Sequence, residues 1–315
     1  MKIAILKKPY CIEIEEKKLK AKLAPDEIRA KTVISALKLG TDRGNYEGAE
    51  DVPGAPTYPR WVGDSNIAIV QEIGSDVVEF KVGDRVVSQN PHQSEWIAKE
   101  STNICKIPEG VKDEDAVWST LYTLSAYCYT KANFIPGENV AVVGLGILGL
   151  GAVAMGPIFG AKKTIAVGNS EVRNDMAKKM GADWILGSDE EISNKIDKIT
   201  NYKGCDIAID CAGGSNTPKL CVETVKTSGK VILVAIYGAK LGFDFNSIVS
   251  REIKIVGSLG YNKIDVESAI ELLASKSVKV EEMISDIIQL EQMIDVGFKR
   301  MMKDEKDIYR ILVSP

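Results

Sequence analysis

The sequence contains a single histidine, His92, and has no pair of cysteines with C-x-x-C spacing. Structural zinc sites are built mainly from cysteine and histidine, usually with such pairs, so the sequence gives no indication of one. Any other metal site would have to combine carboxylates and cysteines around at most one imidazole. We interpret the scattered cysteines as reduced, buried thiols; they are Cys11, Cys105, Cys128, Cys205, Cys211 and Cys221.

The sequence also lacks an excess of basic charge and a long uninterrupted hydrophobic run. Its 40 Lys and Arg residues face 44 Asp and Glu residues, with both signs interspersed, so we expect no nucleic-acid partner. The longest apolar stretch, 140–159, is broken by five glycines and a proline, whereas a membrane-spanning helix needs about 20 apolar residues. The first residues begin as an alternating strand and not as a secretory signal. We therefore expect a cytoplasmic protein without a membrane partner.

A length of 315 residues favours two domains. Residues 1–115 contain short strands separated by Gly, Pro and Asp, which predicts a small β-barrel or sandwich. Residues 116–262 alternate between strands and helices, which predicts a parallel sheet with helical crossovers. Residues 263–315 show helical periodicity followed by a strand at 309–313, and we expect this tail to return to the first domain. The predicted fold class is therefore α/β.

A glycine-rich turn follows the first strand of the second domain. Residues 139–143 form an apolar, β-branched run, and Gly144-Leu145-Gly146-Ile147-Leu148-Gly149 comes directly after it, with a helix predicted beyond Gly149. In this context the first glycine permits a tight turn, the second lets the backbone approach a pyrophosphate, and the third allows close packing of helix and strand. The turn predicts binding of a nicotinamide dinucleotide at the start of the helix.

The residue that would select between NAD and NADP differs from the usual pattern. An acidic residue about 20 positions beyond the glycines ordinarily receives the adenosine ribose hydroxyls of NAD. Here that position is Gly168, and Asn169, Ser170 and Arg173 follow it. A 2′-phosphate would meet no negative charge there, and these side chains can donate hydrogen bonds to it. The sequence therefore favours NADP, with NAD as the alternative.

Several motifs, taken in order, resemble those of the medium-chain dehydrogenase/reductase family. They are 83–86 (Gly-Asp-Arg-Val), 106–111 (Lys-Ile-Pro-Glu-Gly-Val), the glycine turn, 177–183, 206–214 and 255–258. The resemblance implies an N-terminal GroES-like β-barrel domain that carries the catalytic residues, a Rossmann domain with a doubly wound parallel sheet, and a homodimer. It also implies cofactor contacts from Cys211, Ala212 and Ser258.

The chain departs from the zinc-dependent members of that family at their metal ligands. Their Cys-Gly-Thr/Ser-Asp motif is Leu39-Gly40-Thr41-Asp42 here, and their Gly-His-Glu motif is Gly63-Asp64-Ser65. Ser119-Thr120 stands where they carry a later acidic ligand, and their four-cysteine lobe is missing. One aspartate and a few hydroxyls are a poor set for Zn²⁺. We therefore expect a zinc-free member, similar to a subgroup that includes the bacteriochlorophyllide dehydrogenases, from whose Gly-Thr-Glu motif Asp42 departs.

Without zinc, another group must stabilise or protonate the substrate oxygen during hydride transfer. Thr41 matches the hydroxyl that contacts this oxygen in the zinc relatives, and His92 could act as a general acid or base. Asp64 could orient either of them or hold a polar substrate. The structural alternatives are a loop-bracing histidine and a loop salt bridge.

The expected reaction joins a small-molecule alcohol and its carbonyl compound, in one interpretation within a biosynthetic pathway. Two alternatives remain open at this point. One is reduction of the carbon–carbon double bond of an enone or quinone, and the other is a non-catalytic NADPH-binding protein.

Overall fold

The computed structural model describes residues 1–49, 57–189, 191–237, 242–260, 262–303 and 307–315. The chain divides into two compact units. Unit 1 comprises residues 1–120 and 262–315, and unit 2 comprises residues 121–261. Among the described residues, no helix is both long and apolar enough to cross a membrane.

The strands in chain order are β1 Lys2–Lys8, β2 Cys11–Glu16, β3 Glu27–Ala36, β4 Arg60–Trp61, β5 Asn66–Ile73, β6 Arg85–Ser88, β7 Glu95–Lys99, β8 Ile104–Lys106, β9 Asn139–Val143, β10 Lys163–Val167, β11 Trp184–Leu186, β12 Cys205–Asp210, β13 Val225–Leu233, β14 Lys254–Gly257, β15 Ile284–Gln289 and β16 Arg310–Ser314.

The α-helices in chain order are α1 Thr41–Glu47, α2 Asp113–Ala116, α3 Ser119–Lys131, α4 Ile147–Phe159, α5 Glu171–Lys179, α6 Ile192–Ile199, α7 Thr217–Thr224, α8 Phe245–Ser250, α9 Lys263–Ala274 and α10 Lys299–Met302. Two 3-10 turns, Glu281–Met283 and Leu290–Gln292, and a π-helical segment, Met293–Phe298, lie between β14 and β16.

Unit 1 is built on two sheets. The larger has the strand order β15-β16-β3-β5-β6-β8, with β7 also paired to β3, and the smaller has the order β2-β1-β4. All of these pairs are antiparallel except β15 with β16. The C-terminal strand β16 pairs with β3, so the tail of the chain belongs to the same sheet as the N-terminal strands. Alternating apolar residues of β3 and β5, including Ile28 and Val70, are fully buried in its core.

Unit 2 contains a parallel sheet with the order β11-β10-β9-β12-β13-β14. In order of sequence within the sheet this is 3-2-1-4-5-6, the order of a doubly wound nucleotide-binding fold. The strands β9 and β12 are almost entirely buried because helices cover both faces of a parallel sheet. Strand order reverses between β9 and β12, and this type of fold binds its ligands at the carboxyl ends of such strands.

Several elements differ in their bounds from the prediction. Helix α4 begins at Ile147 and not beyond Gly149, so Leu148 and Gly149 are already helical and lie within its first turn. The strand predicted at 309–313 is β16, one residue further along the chain.

Candidate functional site

The glycine turn and the loop after β12 meet at the point where strand order reverses. The amide of Cys211 donates a 2.8 Å hydrogen bond to the carbonyl of Val143, the last residue of β9. Gly144 has a φ of +93°, and a Cβ placed on it would lie 2.6 Å from the Cβ of Ala212. Gly144 is therefore required both by its backbone conformation and by the close approach of Ala212. The structure brings the predicted residues Gly144, Cys211 and Ala212 together.

The other two glycines of the turn have different surroundings. A Cβ on Gly149 would lie 1.9 Å from the carbonyl oxygen of Gly144, so the start of α4 can pack on the turn only without a side chain. Among the residues that the structure describes, a Cβ on Gly146 would meet only Nη1 of Arg173, at 3.9 Å, so these residues leave the backbone of Gly146 uncovered. Leu145 and Ile147 are buried, and Leu148 accepts a 2.9 Å hydrogen bond from Ser125 through its carbonyl. The turn thus presents backbone at Gly146, as pyrophosphate binding requires.

The residues predicted to select the cofactor follow β10, next to β9. A Cβ on Gly168 would lie 2.7 Å from Cδ1 of Leu145, so the turn packs tightly against this position. Asn169 uses both ends of its amide to bind Ser188: Nδ2 donates to Oγ at 2.6 Å, and Oδ1 accepts from the backbone amide at 2.9 Å. Ser170 precedes α5 and makes no capping hydrogen bond with its side chain. Arg173, in the first turn of α5, is the cation whose guanidinium reaches Gly146.

Ser258 lies at the carboxyl edge of the same sheet but two strands away from β12. Its amide donates to the carbonyl of Leu233 at 2.8 Å, and the side chain is almost completely buried. A contact of Ser258 with the cofactor stays a prediction.

Asp210, the last residue of β12, was not predicted and holds the loop beside the glycine turn. It is fully buried, and its carboxylate accepts hydrogen bonds from the amides of Ala212 and Gly213, at 2.9 and 3.3 Å, and from the hydroxyl of Thr217 at 2.7 Å. An acidic residue at the carboxyl end of a mostly apolar strand was the sequence signal for this role.

Unit 1 contains an ion pair between Lys38 and Asp64, and Asp64 stands in the segment that matches the Gly-His-Glu motif of the zinc relatives. Nζ of Lys38 lies 2.7 Å from Oδ2 of Asp64, and the two side chains are 8% and 30% exposed. Burial of the Asp64 carboxylate acts to raise its pKa, but Lys38, and Arg310 further away, outweigh this effect and hold the pKa below its ordinary value. Asp64 is therefore an anion at neutral pH with a lysine ammonium fixed to it.

Asp42 connects the two segments that carry this pair. It is 2% exposed, and its carboxylate accepts hydrogen bonds from the amides of Lys38, at 2.6 Å, and Gly63, at 3.2 Å. Gly63 has a φ of +92°. The sequence offered a signal for the ion pair, because Lys38 interrupts an apolar run at the end of β3, but it did not indicate the partner.

His92 lies in the interior of unit 1. Its ring is fully buried, with Nδ1 2.8 Å from Oγ of Ser35 and Nε2 3.9 Å from Oδ2 of Asp42. The ring fills the space beside Gly63, where a Cβ would lie 2.5 Å from Cδ2 of the histidine. These contacts are those of a side chain that braces the 63–64 segment. A direct acid–base role for His92 stays a prediction.

Thr41 is the first residue of α1 and is partly buried, next to Asp42. Asp64 follows Gly63 in the sequence, and the ring of His92 packs against Gly63. Thr41 precedes Asp42, whose carboxylate accepts a hydrogen bond from the amide of Gly63. Ser65 and Thr120, the hydroxyl residues in the segments where the zinc relatives carry ligands, contact each other. Oγ of Ser65 lies 2.6 Å from Oγ1 of Thr120.

The donor set at these positions does not fit a tetrahedral zinc centre. Leu39 offers no donor atom, Asp64 is already paired with an ammonium, and Ser65 and Thr120 supply only hydroxyls. In the part of the chain that the structure describes, no group of three or more His, Cys, Asp or Glu side chains could hold a metal ion.

The cysteines are all free thiols. Burial raises the pKa of both Cys105 and Cys128 to about 12. These two are protonated at neutral pH and are poor nucleophiles and metal ligands in that form.

Comparisons with known proteins match both units. The profile of the zinc-binding dehydrogenase family matches residues 148–275. An uncharacterised zinc-type alcohol dehydrogenase-like protein, YdjL from Escherichia coli K12, is 32% identical over 66% of this chain and 59% of its own length. Sorbitol dehydrogenase from Bacillus subtilis is 25% identical over 92% of this chain and 90% of its own length.

A solved structure shows that the fold is shared. It is an alcohol dehydrogenase from Escherichia coli CFT073 in complex with NADH, which superimposes with a TM-score of 0.87 at 20% identity, covering 100% of this chain and 99% of that one. The expected architecture, a GroES-like domain and a Rossmann domain, is thereby confirmed.

Proposed function

We propose that this chain, whose similarity to the zinc-type alcohol and polyol dehydrogenases is supported over most of its length, is a nicotinamide-dependent oxidoreductase that transfers a hydride between an alcohol and its carbonyl compound. The observation that carries the proposal is the glycine turn at the reversal of strand order, where the described residues leave Gly146 uncovered and the loop of Ala212 lies beside Gly144. This is the site at which such sheets bind a dinucleotide.

The glycine turn, the start of α4 and the loop after β12 each have a role in this proposal. The backbone at Gly146 and the first amides of α4 hold the pyrophosphate, because these amides have no partners within the helix. Asp210 positions Ala212 and Gly213 beside it. The bound nicotinamide supplies the hydride donor or acceptor, and the protein supplies its orientation and the groups around the substrate oxygen.

We infer that NADP is preferred over NAD. Gly168 replaces the acidic residue that would repel a 2′-phosphate, and Nη1 of Arg173 lies 3.9 Å from the position that a Cβ on Gly146 would take. Asn169 contributes less than the sequence suggested, because its amide is held by Ser188. Arg173 is the cationic candidate for contact with the phosphate.

We further propose that the reaction does not use a catalytic zinc. The support is the donor set: Leu39 in place of a cysteine, and Asp64 held by Lys38 in place of a free ligand. A carboxylate in a close ion pair would have to give up its ammonium partner to bind Zn²⁺.

The test is an assay of the purified chain with NADPH and NADH against a panel of polyols, including sorbitol, and the matching ketoses. We expect turnover that a chelator leaves unchanged, zinc well below one atom per chain by mass spectrometry, and tighter binding of NADPH than of NADH. Turnover that is lost with a chelator and restored by Zn²⁺ would contradict the zinc-independent part. Product analysis separates the alternatives: a retained carbonyl indicates reduction of a double bond, and cofactor binding without turnover indicates a non-catalytic protein.

A further inference from the structure

Two neighbouring loops leave the carboxyl edge of the parallel sheet of unit 2, one after β12 and one after β13. The backbone amide of Val234, in the second loop, donates to the carbonyl of Asp210 at 3.3 Å. A Cβ on Gly213, whose φ is +69°, would lie 2.4 Å from the carbonyl oxygen of Ile236. The two loops therefore touch at a position that only glycine can occupy.

The carboxylate of Asp210 binds the first loop and lies close to the second. The amides of Ala212 and Gly213 and the hydroxyl of Thr217 donate to it. Tyr237, in the loop after β13, has a buried hydroxyl, and burial together with the charge of Asp210 raises the pKa of this phenol well above its ordinary value. The phenol keeps its proton at neutral pH, so the carboxylate has protonated polar groups of both loops around it.

A fully buried carboxylate is costly unless hydrogen bonds satisfy its oxygens. In Asp210 both oxygens are used, Oδ1 by two amides and Oδ2 by the hydroxyl of Thr217. Asp206, near the other end of the same strand, accepts one amide, from Asn139, at 2.7 Å and pairs with Lys226 at 2.5 Å. The two carboxylates thus lie near opposite edges of the sheet, and Asp210 lies at the edge where such sheets bind their ligands.

The sheet order indicates which part of a dinucleotide the two loops would meet. A doubly wound sheet consists of two mononucleotide-binding halves, and a dinucleotide lies across the crevice between them. The adenosine ribose belongs at the end of β10, at Gly168, and the pyrophosphate at the glycine turn after β9. The rest of the cofactor then extends over the second half of the sheet, which begins with β12 and β13.

We propose that Asp210 is a positioning residue for the nicotinamide half of the cofactor. This inference rests on the proposed function and deepens it. Asp210 contacts the loops and not the cofactor: by fixing the loops after β12 and β13, it holds the surface on which the nicotinamide ring and its ribose rest. The adenosine half binds on the other half of the sheet and does not depend on this carboxylate. Loss of Asp210 therefore weakens binding of the whole dinucleotide more than binding of its adenosine half.

The experiment measures binding to the purified full chain by isothermal titration calorimetry, with NADPH and with adenosine 2′,5′-bisphosphate, which represents the adenosine half alone. We expect Asp210→Ala to weaken NADPH binding about tenfold or more, because two buried amides lose their acceptor and the loop loses its fixed conformation. Binding of adenosine 2′,5′-bisphosphate should change less than about threefold, because its site is separate. If the wild type binds NADH more tightly than NADPH, NADH and ADP replace the two probes.

The matched control is Asp206→Ala. It removes a largely buried carboxylate, and the acceptor of one backbone amide, near the other end of the same strand. Both affinities should change less than about twofold in this variant, since the amino edge of the sheet is far from the glycine turn.

Two further variants distinguish positioning from general damage to the fold. In Asp210→Asn the amide oxygen can still accept from Ala212 and Gly213, and the amide nitrogen can donate to the hydroxyl of Thr217. This variant should bind NADPH within about threefold of the wild type. Thr217→Val removes only one donor, so it should show a smaller loss than Asp210→Ala with the same selectivity. If Asp210→Ala does not fold, Thr217→Val replaces it in the comparison of the two probes.

The outcomes separate this inference from the proposed function. A wild type that binds neither NADPH nor NADH contradicts the proposed function, and the role of Asp210 falls with it. If the wild type binds the cofactor, equal losses of affinity for the two probes in Asp210→Ala, or in Thr217→Val in its place, overturn the role of Asp210 alone. A cofactor affinity no weaker than that of Asp206→Ala overturns it too, and so does an Asp210→Asn variant as weak as Asp210→Ala.

Discussion

Asp42 and Gly63 are joined by a hydrogen bond of 3.2 Å from the glycine amide to Oδ1 of the carboxylate. The second oxygen of Asp42 accepts the amide of Lys38 at 2.6 Å. One side chain, 2% exposed, therefore fixes the two backbone segments whose side chains form the Lys38–Asp64 ion pair. The geometry of the Lys38–Asp64 pair therefore depends on the two hydrogen bonds that the buried Asp42 carboxylate accepts.

The first prediction concerns this connection. In Asp42→Ala both amides lose their acceptor while they remain buried, which should lower the free energy of unfolding by about 1–3 kcal/mol. Urea denaturation measures the change. Glu47→Gln, which removes a surface pair with Arg43 on the same helix, serves as the control and should cost at most about 0.5 kcal/mol. Equal stability of the two variants would show that Asp42 does not hold the segments together.

The second prediction separates two glycines of the same turn. Gly149→Ala places a methyl group 1.9 Å from the carbonyl oxygen of Gly144, so it should lower stability by more than about 2 kcal/mol and weaken NADPH binding. In Gly146→Ala the new methyl group meets no atom of the described residues closer than Nη1 of Arg173, so stability should change by less than about 0.5 kcal/mol. Its methyl group nevertheless blocks the pyrophosphate and should weaken NADPH binding about tenfold or more. Thermal unfolding and fluorescence titration measure the two effects. A Gly146→Ala variant that binds NADPH normally would place the cofactor elsewhere.

The glycine turn could be predicted from the sequence because its constraints are local. Gly144, Gly146 and Gly149 lie within six residues directly after an apolar strand, so the motif can be recognised in one short stretch of sequence. The Lys38–Asp64 pair could not be predicted from the sequence. Its two residues are brought together by the pairing of β3 with β5 and by the carboxylate of Asp42 on α1. Arg310, which acts on Asp64, comes from a strand at the other end of the chain.

The third prediction tests cofactor preference. Asn169→Asp keeps the acceptor for the amide of Ser188 and introduces a negative charge where a 2′-phosphate is expected. The ratio of NADPH to NADH affinity should fall on the order of tenfold, about 1.4 kcal/mol, because like charges repel at short range. Titration with both cofactors measures the ratio. Asn103→Asp, an exposed asparagine in unit 1, is the charge-matched control. An unchanged ratio in Asn169→Asp would place the phosphate away from this position.

The fourth prediction concerns pH. The pKa of Asp84 lies below its ordinary value of 3.8: burial acts to raise it, and the hydrogen bonds from Lys106 and from the amide of Lys81, at 2.8 and 3.0 Å, outweigh that effect. A carboxyl with a lowered pKa stabilises the fold at pH values above its unfolded pKa, and this contribution is lost as the pH falls through its folded pKa. Asp84→Asn should therefore cost about 1 kcal/mol near neutral pH and progressively less as the pH falls from about 4 to about 2.

Urea denaturation across this pH range measures the difference, with the exposed Asp76→Asn as control. A cost of Asp84→Asn that is the same at both ends of the range would show that ionisation of Asp84 does not contribute.

The last prediction concerns the homodimer that the family resemblance implies. Within the described residues β14 is the final strand of the parallel sheet, paired on one side with β13. Ile255 on this strand is 36% exposed, and Val249 and Leu259 beside it in sequence are 76% and 77% exposed. An unpaired edge with exposed apolar side chains favours pairing with another chain. We expect Ile255→Lys combined with Val249→Lys to shift the molecular mass, measured by light scattering, from dimer to monomer. The control, Val78→Lys, replaces an apolar residue that is 86% exposed in unit 1 and should leave the dimer intact. If the control loses the dimer and the double variant keeps it, the interface lies on unit 1 instead.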